Sequence, residues 1–265
     1  MSVEPTSAQL ATLRDGDPAE RIALVRLLRV RERGAYERWR AVLDVAVTAA
    51  GGRRSFRGAV DAVLTDAALA FDELWIDEFP SRELAAESLR SPNPHAASAL
   101  ADAFVLAARP RRLPGLALRA AGLWLRLRQG SRAKHPGALP PDTGNRAIDP
   151  TPAEISAFLA KEPSLPLFML NLNQHSDRAA YGRYGKNTLP QLLRRSAGPI
   201  FMADALPVVV GDAAHPLHQP WHEILLVHYP TRGAMLDMLC DPDYQRGLPA
   251  REQGLARAGL VATRR

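Results

Sequence analysis

The chain has 265 residues, with 34 Lys and Arg against 28 Asp and Glu, for a formal net charge of +6. No acidic residue occurs between Ala103 and Pro141, where Arg109, Arg111, Arg112, Arg119, Arg126, Arg128, Arg132 and Lys134 supply eight positive charges, so the remaining 26 basic residues meet 28 acidic ones. The basic excess therefore belongs to one segment, which excludes a nucleic-acid binder with positive charge spread over its fold.

In chain order, RIALVRLLRV from Arg21 reads as a strand by its length and aliphatic content. From Tyr36 to Ala49, Trp39, Val42, Leu43 and Ala46 fall at helical spacing. Gly51-Gly52 marks a turn. PGLALRAAGLWLRLRQ, from Pro114 to Gln129, reads as a helix with proline near its start and Gly130 as its stop. Leu116, Ala120, Leu123 and Leu127 share one of its faces beside Trp124, with Arg119 and Arg126 on another side and Arg128 apart. Residues 130–152, rich in Gly and Pro, read as an extended linker, and Thr151 caps a short helix from Pro152 to Lys161.

PLFMLNLNQ from Pro166 reads as a second strand of the first kind, followed by a helix from Tyr181 to Arg195 whose middle Pro190 weakens. From Trp221 to Tyr229, period-two alternation puts Trp221, Glu223, Leu225, Val227 and Tyr229 on one face and His222, Ile224, Leu226 and His228 on the other. Thr231 then caps a helix carrying Met235, Met238 and Leu239, with Cys240 at its end.

These elements repeat. Tyr36 and Trp39 match Tyr181 and Tyr184, Gly52 matches Gly198, and Phe79-Pro80-Ser81-Arg82 matches Tyr229-Pro230-Thr231-Arg232, at an offset of 145 to 150 residues. Each copy reads as strand, helix, strand, strand, helix with a further helix or strand at its end, which is the split ferredoxin-like plan. The expected fold class is α+β: two ferredoxin-like repeats forming a pseudo-dimeric α/β barrel. The expected division is 21–109, a diverged first repeat; 110–165, a basic helical insert and Pro-rich linker; and 166–263, the second repeat.

Cys240 is the only cysteine, which rules out intrachain disulfides and a cysteine metal knuckle and fits a reducing compartment. The first residues lack a positive start and apolar run, and no stretch approaches the roughly 18 apolar residues of a spanning helix. The expectation is a cytoplasmic protein, monomeric or homodimeric, with a small-molecule ligand and no nucleic-acid partner.

The second copy resembles domain-of-unknown-function family 1330 of the dimeric α/β-barrel superfamily. The matching pieces are Asn171-Leu172, Tyr181 and Tyr184 in YGRY, Tyr229-Pro230-Thr231-Arg232, and Asp241-Pro242-Asp243-Tyr244. The resemblance covers about 166–261 well and 21–109 more loosely, and leaves the insert outside. It implies two sheets closing face to face, with a pocket between each sheet and its covering helices. The carboxylate of the family's Glu-Phe-Pro-Ser strand end survives as Glu78 in the first copy and is His228 in the second. The strand-one Asn is Asn171 in the second copy and Arg26 in the first. One copy is expected to keep a given site, and the second is favoured.

On that reading the chain is a small-molecule enzyme with acid/base or oxygenase-like chemistry in the second repeat. The alternative is a non-catalytic ligand- or partner-binding protein. His228 beside Ile224 and Leu226 suits proton exchange, with Asn171 to orient it and Tyr181 as donor. Tyr184, Trp221, His222, Glu223 and Tyr244 are the expected substrate contacts. No cofactor is favoured. His215, His218 and His222 in HPLHQPWH are weak metal candidates, because Pro216 and Pro220 forbid a helical ligand spacing. Haem, which superfamily relatives bind or degrade, has only Asn171 and Trp221 in its favour. The basic helix from Pro114 to Gln129 is expected to pack on the barrel, with peripheral membrane contact as the alternative.

Overall fold

Strand β1 (Ile22–Val30) is buried along most of its length, and its two faces go to different places. Ile22, Leu24 and Leu28 pack with Tyr36, Trp39 and Leu43, while Ala23, Val25 and Leu27 join Phe104, Leu170 and Ile224 in a separate cluster. A strand covered on both sides loses polar alternation, which is why RIALVRLLRV reads as a nearly unbroken apolar run. The computed structural model describes residues 3–90, 93–129 and 137–265. Arg132, Lys134 and the start of the expected linker lie outside the described residues.

Helix α1 (Ser7–Arg14) precedes β1. The first half continues with α2 (Arg33–Ala49), β2 (Arg53–Thr65), β3 (Glu73–Phe79), α3 (Arg82–Arg90), the single turn α4 (Ala96–Ala99) and β4 (Leu100–Pro110). Helices α5 (Gly115–Gln129) and α6 (Pro152–Ala160) follow. The second half is β5 (Leu167–His175), α7 (Arg178–Arg194), β6 (Gly198–Val210), β7 (Glu223–Tyr229), α8 (Arg232–Leu239), the short α9 (Pro242–Gln245) and α10 (Leu248–Gly254), and β8 (Leu255–Arg264).

The strands close into an antiparallel barrel in the order β1-β3-β2-β8-β5-β7-β6-β4. The fold is mixed α+β on an eight-stranded antiparallel sheet. Within the first half the order is β4-β1-β3-β2 and within the second β8-β5-β7-β6, the arrangement of the split βαβ plan. The halves meet at two seams: β2 on β8, with Ala59 opposite Arg264, and β4 on β6, with Val105 opposite Val210. Phe56, Ile76, Phe104, Phe168, Phe201 and Leu226 fill the barrel interior. The outer faces bury against the helices. In the first half, Tyr36 and Trp39 of α2 lie 6.0 and 5.6 Å from the ring of Trp75 on β3.

Several local expectations change. Helix α7 runs through Pro190 to Arg194 without ending. β7 starts at Glu223, so the alternation holds only from there. Trp221 falls in the barrel interior with Ile224, and His222 turns to the side of His175. Helix α5 begins at Gly115 and rests on α7 through its narrow face, with Gly122 buried near the Leu193 carbonyl and Arg126 donating to that carbonyl at 3.3 Å. The apolar face expected to pack is turned outward: Leu116 is 83% exposed and Leu127 76%.

Candidate functional site

The polar groups of the second half converge on the outer face of the sheet, where β5 ends, β7 begins and α7 starts. Period two along β5 carries Asn171 and Asn173 outward, and Glu223 stands opposite Asn173 on β7. A register shift in the β5–β8 ladder sets His175 opposite Leu255 and leaves Ala256 unpaired. The His175 backbone N–H donates to His222 Nδ1 at 2.9 Å. Asp177 caps α7 by accepting from the N–H groups of Ala179 and Ala180, which places Tyr181 over the site. Gly254 permits this seating, because a Cβ there would lie 2.6 Å from the Tyr181 backbone nitrogen.

Asn173 donates to the Tyr181 hydroxyl oxygen at 2.8 Å and reaches Glu223 Oε2 at 3.5 Å. Arg111 follows β4 and extends its pairing, its N–H donating to the Met202 carbonyl at 2.8 Å. Its guanidinium donates to Glu223 Oε1 at 2.7 Å and also pairs with Asp204. His175 Nε2 lies 3.7 Å from Glu223 Oε2 and is buried with no hydrogen-bond partner among the described residues. The His175 ring sits 4.8 Å from the Tyr181 ring, and the Tyr181 ring 5.6 Å from that of Tyr184.

The electrostatics sort the groups. Burial pushes the His175 pKa below the ordinary histidine value; Glu223 opposes that shift, while His222, Arg178 and Arg111 add to it. Burial, and then the Glu223 charge, pushes the Tyr181 phenol well up, so it keeps its proton. Hydrogen bonding from Arg111 holds Asp204 below the usual carboxylate range. The site therefore holds a neutral imidazole, a protonated phenol and a carboxylate fixed by an arginine.

Of the residues singled out in the sequence, Tyr181, His222 and Glu223 come together here. His228 does not: it lies opposite Phe168 on the barrel-interior face, its ring 4.9 Å from that of Phe168. Asn171 is on the outer face and donates to the Met169 carbonyl at 3.0 Å, so neither it nor Tyr181 meets His228. Tyr184 and Tyr244 pair through their hydroxyls at 3.1 Å, further along α7. Trp221 belongs to the barrel interior and donates to the Leu217 carbonyl at 3.1 Å. Sequence reasoning missed Asn173, His175 and Arg111. Asn173 and His175 carry the same outward parity as Asn171, which was the available signal. Arg111 gave none, being one arginine among many.

His215 accepts from the Leu217 N–H, His218 stands edge-on to Phe104 at 6.4 Å, and His222 turns to His175. Among the described residues no group of three or more His, Cys, Asp or Glu side chains is placed to hold a metal ion. Haem does not fit the residues offered for it, since Asn171 and Trp221 occupy opposite faces of the sheet. Cys240 is buried, and burial raises its thiol pKa, which suits an inert thiol.

No family model and no curated protein matches the chain. Among solved structures, a protein of unknown function from Rhodopseudomonas palustris is 23% identical over 43% of this chain and 93% of its own, with a TM-score of 0.40. A candidate monooxygenase from Lactobacillus acidophilus is 8% identical over 92% of this chain and 93% of its own, with a TM-score of 0.44. An anthrone oxidase-like protein is 9% identical over 93% of this chain and 92% of its own, with a TM-score of 0.46. None of these likenesses bears on activity.

Proposed function

We propose that the chain is an enzyme that moves protons on a small, partly apolar organic molecule at the site of Asn173, His175, Tyr181 and Glu223. The observation that carries this reading is His175 Nε2, a buried imidazole nitrogen with no hydrogen-bond partner among the described residues, beside a fixed carboxylate. Buried polar atoms are nearly always paired, and an unpaired one calls for a cause such as a catalytic role. The strand order supports reading the barrel as the single-chain counterpart of a dimer of ferredoxin-like subunits, with this site in the second half.

His175, neutral near pH 7, accepts a proton from a carbon next to a carbonyl group. Glu223 then faces the imidazolium and offsets its charge, while Arg111 and Asn173 keep that carboxylate in place. Tyr181 accepts from Asn173 and so has its hydroxyl hydrogen left to donate to the substrate oxygen as negative charge builds there. The test is deuterium uptake from D2O into a panel of small ketones and 2-oxo acids, followed by proton NMR. Uptake above buffer that disappears in His175→Gln supports the proposal; equal uptake by both proteins overturns it, as does uptake no faster than buffer across the panel.

A second reading concerns where the chain works. Leu116, Leu123, Trp124 and Leu127 of α5 are all more than half exposed, and Arg119 and Arg128 border them on either side. An exposed apolar stripe edged with arginines fits the surface of an anionic bilayer, where the rings and aliphatic groups enter the headgroup region and the guanidinium groups meet phosphate. No described helix is long and apolar enough to cross a membrane, so the contact proposed is peripheral.

A further inference from the structure

A groove of about 640 Å³ runs along the flank of α5, between that helix, the end of α7 and the start of β6. The titratable side chains that line it are Arg119, Arg126 and His228, and no carboxylate joins them. Arg126 is half-buried and held by neutral groups: its Nη1 donates to the Leu193 carbonyl at 3.3 Å and to the Ser196 hydroxyl at 3.0 Å. Ser196 sits at a φ of 56°, where glycine is the less strained residue, and there it brings the hydroxyl that fixes Arg126. Arg119 is exposed, and among the described residues neither arginine pairs with a carboxylate.

Arg119 and Arg126 are two helical turns apart, about 10 Å along the axis. Gly122 lies between them, so no side chain fills the gap and both guanidinium groups can turn onto one anion there. Two guanidinium groups without a counter-charge suit a dianion better than a single negative charge, and their planar forks match phosphate oxygens. A phosphomonoester carries about 1.5 to 2 negative charges near pH 7. Arg119 also borders the exposed stripe of Leu116, Leu123 and Leu127, so the groove opens on the side that meets the bilayer. We propose that the groove binds the phosphomonoester headgroup of phosphatidic acid, its phosphate between Arg119 and Arg126, its glycerol against Pro199 and Ile200, and its acyl chains leaving past Arg119 toward the stripe. This rests on the membrane reading of α5 and names the lipid which that reading leaves open. A phosphodiester such as phosphatidylserine brings an ammonium group that finds no carboxylate in the groove.

Co-sedimentation with phosphatidylcholine vesicles carrying either phosphatidic acid or phosphatidylserine, matched in zeta potential, separates the groove from the general field. The unaltered chain is expected to bind the phosphatidic acid vesicles about tenfold more tightly, as added charge-assisted hydrogen bonds allow. Arg119→Gln should bring that ratio close to one. So, independently, should Ile200→Glu, which puts a carboxylate into the groove from a side chain 45% exposed. Calorimetry with monomeric dihexanoyl phosphatidic acid and with glycerol 3-phosphate forms the second arm. The lipid should bind, and the soluble phosphate about tenfold more weakly, having no chains to cover the stripe. Equal binding to the two vesicles overturns the proposal and leaves the membrane reading intact, and a preference that survives either variant overturns it as well. Equal affinity for glycerol 3-phosphate makes the groove a soluble-phosphate site and overturns the lipid assignment. Binding of the monomeric lipid by a chain that sediments with neither vesicle upholds the groove and overturns the membrane reading.

Discussion

The side-chain amide of Asn173 donates to the hydroxyl oxygen of Tyr181 at 2.8 Å, so the phenol is used as an acceptor by the protein and keeps its own hydrogen for something else. Removing that hydroxyl tests the role directly. Tyr181→Phe retains the ring contacts with His175 and Tyr184 and removes the hydroxyl, which is both the free donor and the acceptor for Asn173, leaving Asn173 its longer contact with Glu223. Removal of one transition-state donor costs roughly 10²–10³ in rate. Deuterium uptake should fall by about that factor with near-ultraviolet circular dichroism unchanged, and an unaltered rate would remove Tyr181 from the chemistry.

Gly254 and Tyr181 are in close approach, and a methyl group on Gly254 would press on the tyrosine backbone at 2.6 to 2.8 Å. Overpacking of this kind costs about 1–3 kcal/mol. Gly254→Ala is expected to lower the urea midpoint accordingly and to weaken proton transfer by moving Tyr181. A midpoint within error of the parent chain would contradict the tight seating of α7 on α10.

Acid should destabilise the fold earlier than carboxylate titration alone would bring about. Burial chiefly lowers the pKa of both His175 and His228, with Arg265 adding to the shift at His228. A histidine whose folded pKa is depressed takes up its proton first in the unfolded chain. Its stabilising contribution is therefore full above the unfolded value, about 6.5, and is lost as pH falls from there toward the folded value. Urea midpoints should decline between pH 7 and pH 5, and His228→Phe should flatten part of that decline. A midpoint constant down to pH 5 would refute the assignment.

The exposed stripe of α5 gives a prediction of its own. Vesicles containing phosphatidylserine should pull the chain down in sedimentation, with a blue shift in Trp124 fluorescence, whereas neutral vesicles should not. Replacing Leu116 and Leu127 by Glu should abolish both effects and leave thermal stability unchanged, because those side chains are 83% and 76% exposed. Self-association in the absence of lipid, lost in the same variant, would instead assign the stripe to a second copy of the chain.

Much of the fold is written in local chemistry. Aliphatic runs, helical spacing at Trp39 and Leu43, the threonine caps and the recurrence of Tyr-x-x-Tyr or Tyr-x-x-Trp are all short-range signals, and they place most of the elements. The closing strands were harder. β4 and β8 each emerge directly from a short helix, and nothing in their composition says which neighbours they pair with. The site was less legible still. His228 looked suitable because apolar neighbours flank it, but those neighbours line the barrel interior, on the face opposite Tyr181. His175 became significant only through a ladder irregularity and the reach of Arg111 across two strands, and neither leaves a trace in spacing. The one-residue error in phase before Glu223 exchanged the destinations of Trp221 and His222, as a strand boundary misplaced by one residue must.

The two seams of the barrel set the order in which the molecule can be finished. β2 cannot complete its pairing until β8 exists, with Ala59 awaiting Arg264 across about 200 residues of chain. Until then β2 and β4 are open edges with unpaired backbone donors and acceptors, the condition that invites a strand from any other chain. During synthesis the first half therefore has a choice of mates: its own second half, arriving late, or the half-made barrel of a neighbouring chain. Closure over so long a separation is slow, and the outcome is a race between intramolecular closure and concentration-dependent exchange.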